Sequence, residues 1–332
     1  RPYTEYKSLV LRNSGNDAMS TRLLDGFQSR LLDAYGTQVI HQAWKPVTVF
    51  LNGKYWGHMN LRERVDRFFI AQFEGLSLDQ ADEMDILEAN GSVNFGSNKE
   101  YRAMLKKIKA GSPATNPNDL QYILDNVDVD NLFEYMALEM FVGNSDIGNI
   151  RYYRLHQEGS KWKWIWYDAD YGLYSSKFNS PWSYLKVKGM GEQKIDNTIF
   201  LKLLEHPDYK RKFLEKLADV YKTFTTEYMT QVLDGVVAEI QPEMKNHWER
   251  WGELNDKAVT SEVPTTIDGA YTYWESRVNR LYNTLKVRPH RLWDFIKDEF
   301  KLTKTEMEEL FGAYPDAVAN TQRIADRCQM EF

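Results

Sequence analysis

Polar and apolar residues alternate from Tyr6 to Arg12, the period-two pattern of a strand. After a turn over Asn13 to Asp17, Leu23, Leu24, Phe27, Leu31 and Leu32 share one helical face, with Ser20 or Thr21 placed to cap it and Gly36 to end it. Two β-rich runs, Val47 to Leu51 and Lys54 to Leu61, flank Asn52-Gly53. Both central residues of a type I′ turn need positive φ, so this pair predicts a hairpin. Beyond Arg62 to Arg67 a helix carries Phe68, Phe69 and Phe73. Residues 74–99 are polar, with Asp79, Asp82, Glu83, Asp85 and Glu88, and predict a lid-like excursion. A basic amphipathic helix from Lys99 to Lys109 ends at Gly111, a linker spans 112–117, and another helix starts at Asp119.

The stretch from Asn131 to Gly172 is the most informative. Leu132 to Phe141 is a dense apolar run at helical spacing, halted by Gly143-Asn144-Ser145-Asp146-Ile147-Gly148-Asn149. Ile150 to Leu155 and Trp162 to Tyr167 read as a second hairpin around Gln157-Glu158-Gly159-Ser160, and its second strand leads into Asp168-Ala169-Asp170-Tyr171-Gly172. Leu173 to Asn197 is irregular and contains Gly189-Met190-Gly191, which lacks the strand and the spacing of a phosphate-cradling loop. From there the pattern predicts helices over Ile199 to Leu204, Asp208 to Phe224, Thr226 to Ile240, Pro242 to Trp251, Tyr271 to Leu285 and Pro289 to Phe300. Short helices follow in the tail, with Thr305-Glu306-Met307-Glu308 as a capping box. The expected class is α+β, with a small β-rich part over 1–66, a large helical part over 67–302 and a helical tail over 303–332.

Composition narrows the chemistry. The chain has 332 residues and is 42% hydrophobic, enough for one large or two modest cores. A net charge of -6 and the absence of a basic run argue against nucleic acid as a partner. No stretch approaches the roughly 18 uninterrupted apolar residues of a membrane helix. Cys328, the single cysteine, cannot form an internal disulfide. The chain opens at Arg1-Pro2 rather than at Met, so a processed form is expected, from which a secretion signal can have been removed. The six histidines show no zinc spacing, and there is no G-x-S-x-G for serine hydrolysis.

The order helix, loop with Asp and Asn, hairpin, then Asp with Gly is the order that phosphoryl transfer on the protein-kinase plan requires: an acid near the attacking hydroxyl, then an Asn and an Asp for magnesium. Any one of these Asp residues alone reads more readily as a turn former, and it is the whole ordered set that favours the chemistry. Asp168 to Gly172 also resembles the start of a calcium loop, but position twelve is Asn179 instead of Glu and the glycine falls one position early.

The segments Leu11 to Asp17, Val49 to Gly57 through Glu63, Gly143 to Asp146 and Trp166 to Asp170 together resemble the spore coat protein H (CotH) kinase-like family. The resemblance covers residues 5 to 175, and the helical remainder up to Phe300 is also family-like. It implies an atypical protein-kinase-like fold, Mg²⁺ and ATP as cofactors, a protein hydroxyl of Ser, Thr or Tyr as acceptor, and a secreted, periplasmic or cell-surface bacterial protein. On that plan Asp146 accepts or orients the substrate hydroxyl. Asn149 holds metal with one or both of Asp168 and Asp170, since Asp170-Tyr171-Gly172 mimics Asp-Phe-Gly while the family's first Asp aligns with Asp168. In the small lobe Lys7 or Arg12 is the cation that orients phosphates, Asp25 or Asp17 its acid, and Glu63 the hinge residue at the nucleotide. Two departures stand out. Asn149 follows Asp146 by three residues instead of five. The family's upstream Gly-Asn-Ser and double-Lys segment is missing, which leaves the triphosphate poorly covered. The alternative is a catalytically degenerate kinase fold that serves as an adhesion module for a surface glycan or protein, since fold alone does not dictate function.

Overall fold

In the computed structural model, residues 5–186, 194–251 and 266–313 are described. Gly189-Met190-Gly191 and Cys328 lie outside the described residues. Strand β1 (Leu9–Arg12) leads through a single 3-10 turn (Gly15–Asp17) to helix α1 (Leu24–Tyr35). The main cap of α1 is Asp17, whose carboxylate accepts the backbone N–H groups of Thr21, Leu23 and Leu24 at 2.8, 2.8 and 3.0 Å, while the Thr21 hydroxyl also accepts the Leu23 N–H at 3.1 Å. Asp17 is buried there, and burial raises its pKa against the pull of those hydrogen bonds. Strands β2 (Trp44–Leu51) and β3 (Lys54–Glu63) form the first hairpin, with Asn52 at φ 50° and Gly53 at φ 75° in the turn. The sheet order is β1-β3-β2, all antiparallel, with Leu11 opposite Leu61 and Val47 opposite Met59. Gly26 lets α1 press onto this sheet, because a Cβ there would stand 2.3 Å from the Trp44 indole.

Helix α2 (Arg67–Phe73) starts at Asp66, whose side chain accepts from Phe68 and Phe69 N–H. The polar segment after it is not a lid. It contains β4 (Met84–Glu88) and β5 (Ser92–Phe95), and β4 is a central strand of a second antiparallel sheet, β5-β4-β6-β7, with β6 (Arg151–Leu155) and β7 (Lys163–Ile165). Its acidic residues hide the strand in the sequence. Met84 and Ile86 face a core shared with Phe69, Ile70 and Tyr153, while Leu87 faces the main core, so β4 is covered on both sides. Buried Asp85 is satisfied by the Ser97 N–H at 2.7 Å.

Helices α3 (Lys99–Ala110) and α4 (Pro117–Asn126) precede α5 (Val129–Val142), the axis of the main core. Every residue of α5 from Leu132 to Val142 is buried, as its unbroken apolar run requires. Around it lie α6 (Ser180–Tyr184), α7 (Thr198–Leu204) and α8 (Pro207–Thr223). The two helix pairs expected on either side of Pro242 and Pro289 are single long helices, α9 (Thr226–Trp251) and α10 (Ile267–Phe300). Pro289 removes the donor that would serve the Leu285 carbonyl one turn earlier, and the Thr226 hydroxyl donates to that carbonyl instead at 3.3 Å. Helix α11 (Lys304–Phe311) closes the described chain; its capping box is Thr303 with Glu306, two residues before the expected one.

Candidate active site

The site begins where α5 ends. Gly143 takes the left-handed conformation at φ 65° and returns its N–H to the Glu139 carbonyl at 2.9 Å. Asn144 then accepts the Asp146 N–H at 3.1 Å, and a 3-10 turn (Ile147–Asn149) follows. That tight turn makes the short spacing work geometrically. The Asn149 amide donates to Asp146 Oδ2 and to Asp168 Oδ2, both at 3.0 Å. Asp168 arrives from β7 with φ 52°, a left-handed conformation that Asp tolerates better than most residues. Behind it, the Gln28 amide from α1 donates to the carbonyls of Ala169 and Gly172 at 2.6 and 3.0 Å, and Leu173 N–H donates to Val142 O at 2.7 Å. The two loops are thereby latched to each other and to α1.

Asp170 is buried and accepts the Asn16 N–H at 2.8 Å. Burial raises its pKa, and the neighbouring Asp168 charge adds to that rise while Asn16 and Arg12 oppose it. Gly15, at φ 58°, sits against this carboxylate; a Cβ there would be 2.3 Å from Asp170 Oδ2 and 2.6 Å from the Arg12 guanidinium.

Arg12 reaches the carboxylates from β1. Its Nη2 pairs with Asp168 Oδ1 and lies 3.2 Å from Asp170 Oδ2, while Nε is 3.6 Å from Asp25. Burial works against the Arg12 charge, yet Asp25, Asp168 and Asp170 raise its pKa above the ordinary value. Asp25, in the first turn of α1, also pairs with Arg62 of β3, which donates to Ala43 O at 3.0 Å and Ser29 Oγ at 2.9 Å. Of the two candidate acids, Asp25 therefore meets the cation, and Asp17 serves α1 as a cap. Lys7 lies elsewhere, 5.8 Å from the Phe68 ring centroid in a narrow cleft shared with Glu63 and Asp66. Glu63, at the end of β3, is buried and accepts the Ala43 N–H at 2.7 Å.

Beside the Arg12 pairings a cavity of about 270 Å³ is lined by Arg12, Arg62, Arg64 and Arg151, by the acid Asp66, by Gln42 and Asn94, and by Val10, Val65 and Tyr167. The Arg151 guanidinium lies over the Tyr167 ring, 4.2 Å from its centroid, and donates to Val65 O at 2.9 Å. A larger cavity of about 860 Å³ opens between α3, α7 and the end of α10, at Lys109, Asp196, Lys202 and Phe300, and none of the loop carboxylates lines it.

Several residues of this site escape the sequence pattern. Arg62 and Arg151 come from strands, Asn16 from a turn and Gln28 from helix α1, and their partners are far away in the chain. Arg288 of α10 is fully buried and donates to the carbonyls of Met140, Phe141 and Phe178 at 2.7, 2.9 and 2.6 Å, closing the C-terminal end of α5 beneath Gly143. Burial lowers its pKa to about 9. Glu139 carries a signal, as one of two acids, with Glu134, inside the apolar run of α5.

Among the described residues, no group of three or more His, Cys, Asp and Glu is arranged to hold a metal, and no helix is long and apolar enough to cross a membrane. Magnesium does not need such a group: it is commonly held by one or two carboxylates, with phosphate oxygens and waters completing the shell. The hard-oxygen set of Asp168, Asp170 and the Asn149 amide fits that requirement, and the Arg12 guanidinium between the two carboxylates marks the spot as one that favours positive charge. In comparison with known proteins, a family model described as CotH kinase protein matches residues 1–292. No curated protein matches the chain.

Proposed function

Because this chain belongs to the CotH kinase family, as the match over residues 1–292 shows, we propose that it binds Mg-ATP and transfers phosphate to a protein hydroxyl. The observation that carries the reading is the Asn149 amide, which bridges Asp146 to Asp168 at 3.0 Å on each side and so joins an acid for the acceptor to an acid for the metal.

Asp146 orients the acceptor hydroxyl of Ser, Thr or Tyr and takes its proton as the new O–P bond forms and the bond to the ADP leaving group breaks. Asn149 fixes that carboxylate relative to Asp168, so the acceptor and the phosphates meet in one geometry. Asp168 and Asp170, with Asn149, would hold Mg²⁺, which when bound neutralises charge on the phosphate oxygens. The arginine-lined cavity supports the nucleotide assignment. Arg12, Arg62, Arg64 and Arg151 offer guanidinium groups for phosphate oxygens, and Tyr167 with Val10 and Val65 offers apolar surface for a base. Arg12 held by Asp25 plays the part of the small-lobe ion pair. We extend the reading to a secreted or surface-exposed bacterial protein, as the resemblance implies.

The test is Mg²⁺-dependent ADP release and phosphate transfer by the chain, with Asp146→Ala alongside. General acid-base help is worth about 10²- to 10⁴-fold, so Asp146→Ala should lose turnover on that scale while keeping Mg-ATP affinity. Unchanged turnover in the variant overturns the role of Asp146. A chain that binds no nucleotide leaves the adhesion module as the better account.

A further inference from the structure

A carboxylate in the last turn of a helix faces the negative end of the helix dipole and weakens the helix. Glu139 occupies that position in α5, and it is also buried, which adds a desolvation cost. Both costs call for a compensating role. Its carboxylate receives the Tyr184 hydroxyl of α6 at 3.0 Å, the same hydroxyl lies 3.4 Å from the Asn144 carbonyl oxygen, and Tyr135 and the Asn144 side chain also favour its charged form. Asn144 in turn accepts the Asp146 N–H at 3.1 Å through its side-chain oxygen. The buried Asn144 side chain thus lies between Glu139 and Asp146, with its oxygen turned to the Asp146 N–H.

We propose that Glu139 is a positioning residue for phosphotransfer: it fixes the Asn144 amide, and that amide sets the backbone of Asp146 and hence the reach of its carboxylate. The role in turnover rests on the phosphotransfer reading above, while the Tyr184 to Glu139 and Asp146 to Asn144 hydrogen bonds, at 3.0 and 3.1 Å, do not. The groups facing Glu139 are Tyr135 on its own helix, Tyr184 on α6, Asn144 and Asp146 on the loop, and beyond Tyr184 the Arg288 guanidinium of α10. Burial, with the Asp146 charge adding to it, pushes the Glu139 carboxyl up to about 7. Turnover should accordingly carry a limb near neutral pH that comes from Glu139 and not from the acceptor.

The experiment uses the full chain with Mg-ATP and water as the probe acceptor, comparing wild type, Glu139→Gln, Asn144→Ala and the double variant. Misplacing a reacting group by an ångström costs up to about 100-fold, so Glu139→Gln should lower kcat by about tenfold or more while the Mg-ATP dissociation constant stays within about twofold. The double variant should be no slower than Asn144→Ala, and the neutral limb of the pH profile should vanish in Glu139→Gln. A kcat equal to wild type in Glu139→Gln, or losses that multiply in the double variant, overturns the proposal. Hydrogen exchange of the Asp146 amide provides a readout independent of activity: it should be at least about tenfold faster in Glu139→Gln and Asn144→Ala than in wild type. If wild type turns over no ATP but the exchange rates shift as stated, the contact chain stands and the phosphotransfer reading fails. If the rates do not move, the contact chain itself is wrong.

Discussion

The two sides of the site are built on different principles. The acidic side, Asp146, Asn149, Asp168 and Asp170, sits on two loops and is held by backbone hydrogen bonds: the Gly143 helix end, the Gln28 latch and the Leu173 to Val142 bond. The basic side reaches the site chiefly from strands, with Arg12 on β1, Arg62 on β3 and Arg151 on β6, and it is held by side-chain pairing through Asp25 and Glu88. Loops can turn several short carboxylates and an amide toward one point. Strands cannot, because their side chains alternate between faces, but they can present long guanidinium groups at fixed intervals along a cleft. Loss of packing should thus disturb the acidic side first, and loss of a counter-charge the basic side.

The largest effect should come from Arg62→Ala, which leaves buried Asp25 with only the more distant Arg12: about 3–5 kcal/mol less stability in denaturant unfolding. The double variant Arg62→Met/Asp25→Leu should recover most of that stability yet bind nucleotide more weakly, which separates the cost of a buried charge from the role of the pair. If it recovers nothing, the pair is not the source of the loss.

Next is a pH effect confined to the acidic side. The folded carboxyl of Glu139 is raised from 4.5 to about 7, so between those values the folded state holds a proton that the unfolded state has released. Its contribution to stability is present below about pH 4.5 and is lost as pH rises through about 7, about 3 kcal/mol in full. The difference in urea midpoint between wild type and Glu139→Gln, measured at pH 5 and pH 8, isolates this group from the others that titrate. A constant difference would place the Glu139 pKa near its ordinary value.

Gly15 joins the two sides. Gly15→Ala must hold a left-handed φ of 58° and push apart Arg12 and Asp170, for a cost of about 2 kcal/mol together with weaker Mg-ATP binding. Stability and binding should fall together there. The smallest effect, about 1 kcal/mol, is expected for Thr226→Val, which orphans the Leu285 carbonyl in α10 and should leave nucleotide affinity unchanged.

The same contrast explains what was legible in the sequence. Turn chemistry is local, so Asn52-Gly53, Gly143 to Asn149 and Asp168 to Gly172 could be read directly, and the structure brings Asp146, Asn149 and Asp168 within one amide's reach. Arg12 and Asp25 could be named only as one of two choices each, because a strand residue's partner lies at a distance that no spacing encodes. Arg62 on β3 and Arg288 on α10 gave no signal, because the groups they meet lie far away in the chain. β4 was hidden by its acidic residues, since Asp85 is buried yet satisfied by a backbone N–H from beyond β5. Helix α10 was divided at Pro289 because a local rule could not anticipate the Thr226 hydroxyl from another helix.

The most direct test of the account is calorimetric titration of the chain with ATP, with and without Mg²⁺, against Asp168→Asn/Asp170→Asn. The account predicts Mg²⁺-dependent binding by wild type and at least about a tenfold loss of affinity in the double variant, a difference of about 1.4 kcal/mol or more. Equal binding by the two proteins, or binding that ignores Mg²⁺, would contradict it.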